Sequence, residues 1–443
     1  MKQTFFAVTM ASALLAIPSH AQDAAPAHFL KQETIITLGD AAKEVQAVLG
    51  KERTPGKRLE AYTKFQFSPE LRPKLQEIFG TERPLPMTRV ASGPKGQVNY
   101  VARLAPYAYK QDNGTDFTWT ELVSKVNVDK SGRATTSTTV WPSLVISRPD
   151  MSVSLLNMNM ISKQLTGADE VAYGTAVFKI GGVVMRDAPA GGTELKETMR
   201  FEDIEAKSEV RRRGAMTEII YGSSIKAIVF SDERVERVNT AFRLTNVPVK
   251  AVADLGKQWR EQQGKKLETA EERQQLLKTL QDFGKRVAIA GATLFIDDIS
   301  VGYRGNTASL KGRIGFQKVL EADFKDMPAL LKKLVGRFEV RLPVALVRDA
   351  SRAFITKTIN PAAPDAAKQI DAGTDSVVSM VVGKTVSGGY GIVEQNELRT
   401  VIEIKDGKVT FNGKPIEVPA GVLNSLNAKP APQPAPAPPQ EAQ

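Results

Sequence analysis

The sequence contains no cysteine and only two histidines, His20 and His28, among 443 residues. Without cysteine the chain has no disulfide, no thiol nucleophile, no iron–sulfur cluster and no cysteine-type zinc site. A Ser-His-Asp relay or a histidine metal site also lacks the histidines that it needs, because both histidines lie near the start of the chain. We therefore expect no catalytic residues, no metal ligands and no cofactor.

Long uncharged apolar runs are scarce, and the one clear example opens the chain. Lys2 precedes an apolar run over residues 5–17, and Ser19 and Ala21 place small side chains ahead of Gln22. This pattern is typical of a secretory signal peptide, here cleaved between Ala21 and Gln22, and it predicts export to the periplasm. The alternative is that the run is kept as a membrane anchor. No later stretch has the length and apolarity of a transmembrane span.

Basic residues exceed acidic ones, giving a formal net charge of +11, but they are scattered. The densest cluster is Arg211-Arg212-Arg213, which Gly214 follows. It is either a solvated hairpin tip or a contact for an anionic surface such as lipid headgroups or an acidic partner. The sequence has no basic stripe interleaved with aromatic residues, so we expect no nucleic-acid binding.

Carboxylates are the only catalytic groups left, and glycoside hydrolysis needs just two of them. The candidate pairs are Glu202-Asp203 and Asp297-Asp298. The second pair follows an apolar strand, where neighbouring side chains point to opposite faces. A carboxylate-dependent hydrolase acting on envelope glycans therefore stays open as an alternative function.

Apolar and polar residues alternate with a period of two over most of residues 85–247, which predicts long strands with one buried face. Turn sequences such as Asp112-Asn113-Gly114 punctuate the segment and favour an antiparallel meander.

Helical spacing of leucines predicts one or two amphipathic helices over residues 257–285. Shorter helices are predicted at residues 41–49, 68–79, 350–356 and 365–383, and further strands at 287–299, 307–316 and 340–346. Pro343 lacks an amide hydrogen and indicates that the last of these strands lies at a sheet edge.

Together these patterns predict an α+β fold, with a long curved antiparallel β-sheet (a meander) and amphipathic helices packed on one face. The predicted segments are a signal peptide (1–21), an N-terminal helical and extended segment (22–84), an antiparallel β domain (85–250), an α+β domain ending in a hairpin (251–427) and a disordered Pro/Ala-rich tail (428–443).

The final hairpin is the clearest local pattern. Asp406-Gly407 and Asn412-Gly413 are tight-turn sequences that separate short alternating strands. This closing stretch, residues 400–415, resembles the end of the bacterial YdgA-like proteins, a family of unknown function. The resemblance implies an envelope protein of Gram-negative bacteria with no assigned reaction. That family usually keeps an N-terminal anchor, whereas this chain has a signal of the cleavable kind.

The leading functional hypothesis is a non-catalytic periplasmic protein whose curved sheet forms an apolar groove. Such a groove suits a lipid-like ligand or an extended polypeptide, and the partners expected are a lipid or an envelope protein. The alternatives are the hydrolase described above and a scaffold protein that uses its Pro-rich tail at residues 429–443.

Overall fold

The computed structural model of the protein describes residues 29–416 except 91, 94–95, 190, 232, 263–269 and 361. Within this part of the chain it contains eight α-helices, one short 3-10 helix and eighteen β-strands. The predicted cleavage site at Ala21 and Gln22 and the Pro-rich tail lie outside the described residues. The proposed segment boundaries stay predictions.

The helices are, in chain order, α1 (Gln32–Leu49), α2 (Pro55–Lys64), α3 (Arg72–Phe79), α4 (Val249–Gln262), α5 (Ala270–Ile289), α6 (Met327–Lys332), α7 (Val344–Thr358) and α8 (Ala366–Ser387).

The strands belong to one sheet. They are β1 (Met87–Val90), β2 (Val98–Leu104), β3 (Tyr107–Lys110), β4 (Asp116–Trp119), β5 (Leu122–Val128), β6 (Ala134–Arg148), β7 (Met151–Thr166), β8 (Ala172–Asp187), β9 (Lys196–Arg213), β10 (Met216–Phe230), β11 (Glu233–Pro248), β12 (Thr293–Tyr303), β13 (Asn306–Phe316), β14 (Leu334–Pro343), β15 (Ile392–Glu394), β16 (Glu397–Lys405), β17 (Lys408–Phe411) and β18 (Lys414–Ile416).

Every strand pairing is antiparallel, and most join strands that follow each other in sequence. β5 and β4 lie side by side against the two halves of β6, while β14 pairs with β16 across the helices α7 and α8. Six successive strands, β6 to β11, have 15 to 18 residues each and reach on the order of 50 Å. The predicted large antiparallel meander is confirmed; the packing of helices on one face stays a prediction.

The closing hairpin forms as its sequence predicts. Asp406 and Gly407 have φ angles of 53° and 73°, and Asn412 and Gly413 have φ angles of 49° and 79°. Two consecutive positive φ angles define the turn that matches the twist of paired strands. Ile404 accordingly pairs with Val409 across the first turn.

Several predicted element boundaries are wrong. The first helix begins at Gln32, well before residue 41, and the helix predicted from residue 68 begins at Arg72. Residues 287–289 end α5 rather than open a strand, because the chain turns at Gly291 with a φ of 69° before β12. A short apolar run has no periodicity that separates a buried helix end from a strand.

The prediction that Pro343 marks an edge strand is also wrong, since β14 pairs with β13 on one side and with β16 on the other. Pairing with β13 stops at Arg341, two residues before Pro343. The missing amide hydrogen therefore falls just outside that ladder, and Pro343 leads directly into α7.

Among the described residues, two clusters of buried side chains lie in the first half of the chain. One joins helices α1 to α3 to β1, β2 and β5, around Val45, Leu75 and Tyr100. The other joins the strands β4, β6, β7 and β8, around Trp119, Ile146 and Ile180. Residues of both clusters line the cavity that is described next.

Candidate functional site: an apolar cavity

A cavity of about 610 Å³ lies between the helices α1 to α3 and the first strands of the sheet. Close-packed protein interiors leave few spaces wider than a water molecule. A space of this volume is therefore a feature of the fold rather than a packing irregularity. It also falls in the range of roughly 300–1,000 Å³ that small-molecule sites occupy.

The sheet supplies one wall of this apolar cavity. From β1 to β6 its apolar side chains are Met87, Ala102, Leu104, Tyr109, Phe117, Trp119, Leu122, Val126, Trp141, Leu144 and Ile146, and from β7 to β10 they are Met160, Ala172, Val210 and Ile219. Because side chains alternate across a strand, every second residue of a strand reaches the same space, although in β6 the alternation shifts between Trp141 and Leu144. The period-two pattern of the sequence is thus the source of this wall.

The helices supply the facing wall, with apolar residues one turn apart. They are Leu38, Ala41 and Val45 of α1, Leu59 and Tyr62 of α2, and Leu75, Ile78 and Phe79 of α3. Spacing of three or four residues places these side chains on one stripe of each helix. Val252, Ala253 and Gly256 of α4 close a further side.

Polar atoms on the apolar walls are occupied by partners within the protein. Tyr109 Oη and Thr34 Oγ1 lie 3.2 Å apart, Trp119 Nε1 donates to Ala105 O at 3.0 Å, and Tyr62 Oη donates to Leu85 O at 3.3 Å. Burial raises the pKa of the Tyr62 hydroxyl, against an opposing effect of Arg83, so this group stays a neutral donor. These walls therefore present an apolar surface to a ligand.

One end of the cavity is polar. Along β6 and β7 its wall is formed by Thr135, Ser137, Ser162, Gln164 and Thr166. Thr135 lies opposite Gln164 and Ser137 opposite Ser162, whereas Leu144 and Ile146 lie further along β6 toward Trp119. The same face of the sheet thus changes from hydroxyl and amide groups to aliphatic and aromatic groups.

Three charged residues, Arg53, Arg58 and Glu170, also line the cavity. Arg53 Nε lies 3.9 Å from Glu170 Oε1, and the Arg53 side chain is 86% exposed. Arg58 is held at the wall by its Nε, which donates to Glu52 O at 2.8 Å. With two guanidinium groups and one carboxylate, the charges that line this site sum to one positive charge.

A close backbone contact fixes these charges beside the polar end. Gly56 N donates to Gly132 O at 3.0 Å, where the start of α2 meets the β5–β6 turn. A Cβ on Gly56 would lie 3.0 Å from Gly132 Cα, closer than real Cβ atoms usually come. Only glycine allows this approach, which sets Arg53 and Arg58 beside the strand that begins at Ala134.

The arginine cluster predicted as a surface contact lies at the end of β9, just before the turn into β10. Each guanidinium has a carboxylate partner: Arg211 binds Glu209, Arg212 Nη1 lies 3.0 Å from Asp169, and Arg213 Nη2 lies 3.2 Å from Glu218. The hydrogen bond with Arg211 lowers the pKa of Glu209. The cluster thus lies next to the β9–β10 turn, and both a solvated tip and contact with an anionic surface stay predictions.

The predicted acidic pairs are not brought together with the cavity, as far as its described lining extends. Glu202 accepts two hydrogen bonds from Arg234, and Asp203 lies 3.0 Å from Lys226 Nζ.

Asp297 and Asp298 lie in a bulge of the β12 pairings. Asp297 binds Arg243, and Asp298 accepts from Ser300 Oγ at 2.9 Å. Each of the four carboxylates therefore serves a local ion pair or hydrogen bond.

Two further searches concern the described residues alone. They contain no group of three histidine or acidic side chains close enough together to hold a metal ion. None of their helices combines the length and the apolarity needed to cross a lipid bilayer.

Comparison with known proteins gives a family but no reaction. A family model described as a bacterial protein of unknown function (DUF945) matches residues 58–419. The chain belongs to this family. The DUF945 match begins inside α2 and extends past β18, so it includes most of the cavity walls. No curated protein and no solved structure matches the chain significantly.

Sequence reasoning did not identify the residues of the cavity, although some signals were present. Thr54 followed by Pro55 marks the start of α2, and Thr54 Oγ1 accepts from Lys57 N at 3.4 Å. The meeting of Arg53 and Arg58 with Glu170 depends on contacts more than a hundred residues apart in sequence. No local pattern encodes such a contact.

Proposed function

We propose that this member of the DUF945 family is a non-catalytic protein that binds a lipid-like ligand in the apolar cavity. The observation that carries the proposal is the cavity itself, about 610 Å³ in volume and lined mainly by aliphatic and aromatic side chains. Delivery to the periplasm through the signal at residues 1–21, and a role in the Gram-negative envelope of the YdgA-like type, belong to the same proposal.

The chemistry of the walls favours an acyl chain over a polar metabolite. Each methylene group moved from water to an apolar site contributes about 0.8 kcal/mol, so ten of them contribute about 8 kcal/mol. The loss of translational and rotational freedom on association offsets much of this, so we expect micromolar binding. Along the apolar walls, a sugar or a nucleotide would leave its hydroxyl groups without partners, because the polar atoms of these walls bond to other groups of the protein.

Binding is testable by the quenching of tryptophan fluorescence, since Trp119 and Trp141 both line the cavity. A fatty acid brominated near the end of its chain quenches tryptophan only at short range. We expect saturable quenching of the full chain, and a smaller effect in a Trp119→Phe variant.

Ala102→Leu narrows the cavity from its sheet wall, where Ala102 is only 3% exposed. Ala206→Leu makes the same change on β9 at a residue outside the described lining, and serves as the matched control. Quenching should weaken in the Ala102 variant and persist in the Ala206 variant, with thermal unfolding checking that both are folded. Linear, unsaturable quenching that is equal in all three proteins would contradict the proposal.

A further inference from the structure

We propose that the ligand is a single-chain amphiphile with an anionic head, bound with its head at the polar end beside Arg53 and Arg58 and its tail toward Trp119. This inference rests on the proposed function and specifies the ligand of the same cavity. It follows from the distribution of polar groups and charge along the cavity walls.

Most of the polar groups are concentrated at one end, where they lie among apolar side chains such as Val126 and Met160, while Ser124 and Thr34 lie elsewhere on the walls. Gln164 and Thr135 form one paired position of the wall, and the chain must continue along β6 past Trp141 to reach Leu144 and Ile146. The two groups of residues are about ten positions apart on one strand, on the order of 30 Å. A ligand in this space therefore meets hydroxyl and amide groups at one end and hydrocarbon at the other.

The charge at the polar end selects an anion. The guanidinium groups of Arg53 and Arg58 match the geometry of a carboxylate or phosphate head, to which arginine donates two parallel hydrogen bonds. Glu170 opposes an anion, and its Oε1 lies 3.9 Å from Arg53 Nε, but the described lining has two guanidinium groups for this one carboxylate. A net positive charge remains for the head.

The opposite orientation is unfavourable. At the Trp119 end the wall comprises Phe117, Leu144 and Ile146, and the Trp119 N–H donates to Ala105 O. A carboxylate placed there would lose its hydration beside a described wall that has no charged partner for it, which is unfavourable. The tail gains most from the same surroundings.

The test compares heads on identical tails. A fatty acid, an alkyl phosphate and a fatty alcohol, each brominated at the same position near the chain end, are titrated against the full chain by tryptophan quenching. We expect the acid or the phosphate to bind about tenfold more tightly than the alcohol, since one charge-assisted hydrogen bond is worth about that factor. The tighter of the two anions identifies the head.

Substitutions test whether the polar end causes the preference for an anionic head. Arg53→Gln with Arg58→Gln should reduce the ratio of anion affinity to alcohol affinity about tenfold, while Glu170→Gln should increase this ratio. Arg348→Gln with Arg352→Gln on α7 removes the same charge away from the cavity, at residues paired with Asp375 and Asp371, and should change nothing.

Bromine position tests the orientation. Bromine near the chain end should quench the Trp119 contribution, obtained by difference from Trp119→Phe, more than bromine beside the carboxylate does. Equal binding of acid and alcohol, or equal quenching from both bromine positions, would overturn this inference and leave apolar binding intact. Saturable quenching by none of the ligands would overturn the proposed function and this inference with it.

Discussion

The N-terminal region (residues 29–187) and the strand region (residues 196–343) build the same sheet by different means. Both clusters of buried side chains are centred in the N-terminal region. Across the described residues of β9 and β13, by contrast, no side chain is buried. The strand region buries isolated side chains such as Val247, and it adds a long backbone ladder and ion pairs between neighbouring strands, such as Arg234 with Glu202. A continuous ladder thus extends a sheet well beyond the core that stabilises it.

The largest effect should come at the boundary between the two regions. Gly174 of β8 pairs with Gln164 on one side and with Val210 on the other, at a φ of 129°. A Cβ at this residue would overlap the carbonyl oxygen of Lys163. We expect Gly174→Ala to lower the free energy of unfolding by about 4 kcal/mol, through backbone strain and steric overlap.

Gly182→Ala is the matched control for that variant. Gly182 lies in the same strand, and a Cβ there meets nothing closer than Phe201 O at 3.7 Å. Guanidinium unfolding followed by circular dichroism measures both variants. Equal midpoints for the two would show that the pairing at Gly174 does not join the regions as described.

The second largest effect should come from the difference in burial between leucines of the two regions. Leu75 of α3 has no exposed surface and Leu277 of α5 is 59% exposed, and both are helical. Leu75→Ala should cost about 3 kcal/mol because it removes buried methyl groups from the core. Leu277→Ala should change stability by less than about 0.5 kcal/mol. Similar costs for both, measured by the same unfolding assay, would remove the distinction between the regions.

The smallest effect is electrostatic and belongs to the strand region. The hydrogen bond with Arg234 holds the pKa of Glu202 below its usual value of 4.5, against a weaker effect of desolvation. A lowered pKa stabilises the folded state above pH 4.5, and this contribution is lost as the pH falls through the folded-state pKa.

We therefore expect Arg234→Gln to lose less stability than the parent chain between pH 5 and pH 3, and the difference should be small because solvent screens a pair near the surface. Unfolding midpoints at each pH measure the difference. Glu202→Gln should show the same flattened profile, and a parent-like slope in both variants would exclude a contribution from this pair.

Local signals predicted much of the fold, and long-range contacts determined the rest. The hairpin at Asp406-Gly407 and the helix α5 follow from turn chemistry and periodicity, which act within a few residues. The register that brings Gln164 opposite Thr135 depends on the length of the whole β6–β7 hairpin. The contact of Gly56 with Gly132 has no sequence signature, although it positions Arg53 and Arg58. The sequence therefore predicts an apolar face of the sheet, but it does not predict which residues line the cavity.

The central claim is that the apolar cavity holds a lipid-like ligand, and native mass spectrometry of the full chain tests it most directly. With a single-chain anionic amphiphile added, the account predicts a one-to-one complex whose abundance falls in Ala102→Leu and not in Ala206→Leu. Ligand-free protein at every ligand concentration, or adducts that grow without a stoichiometric limit and equally in both variants, would contradict it.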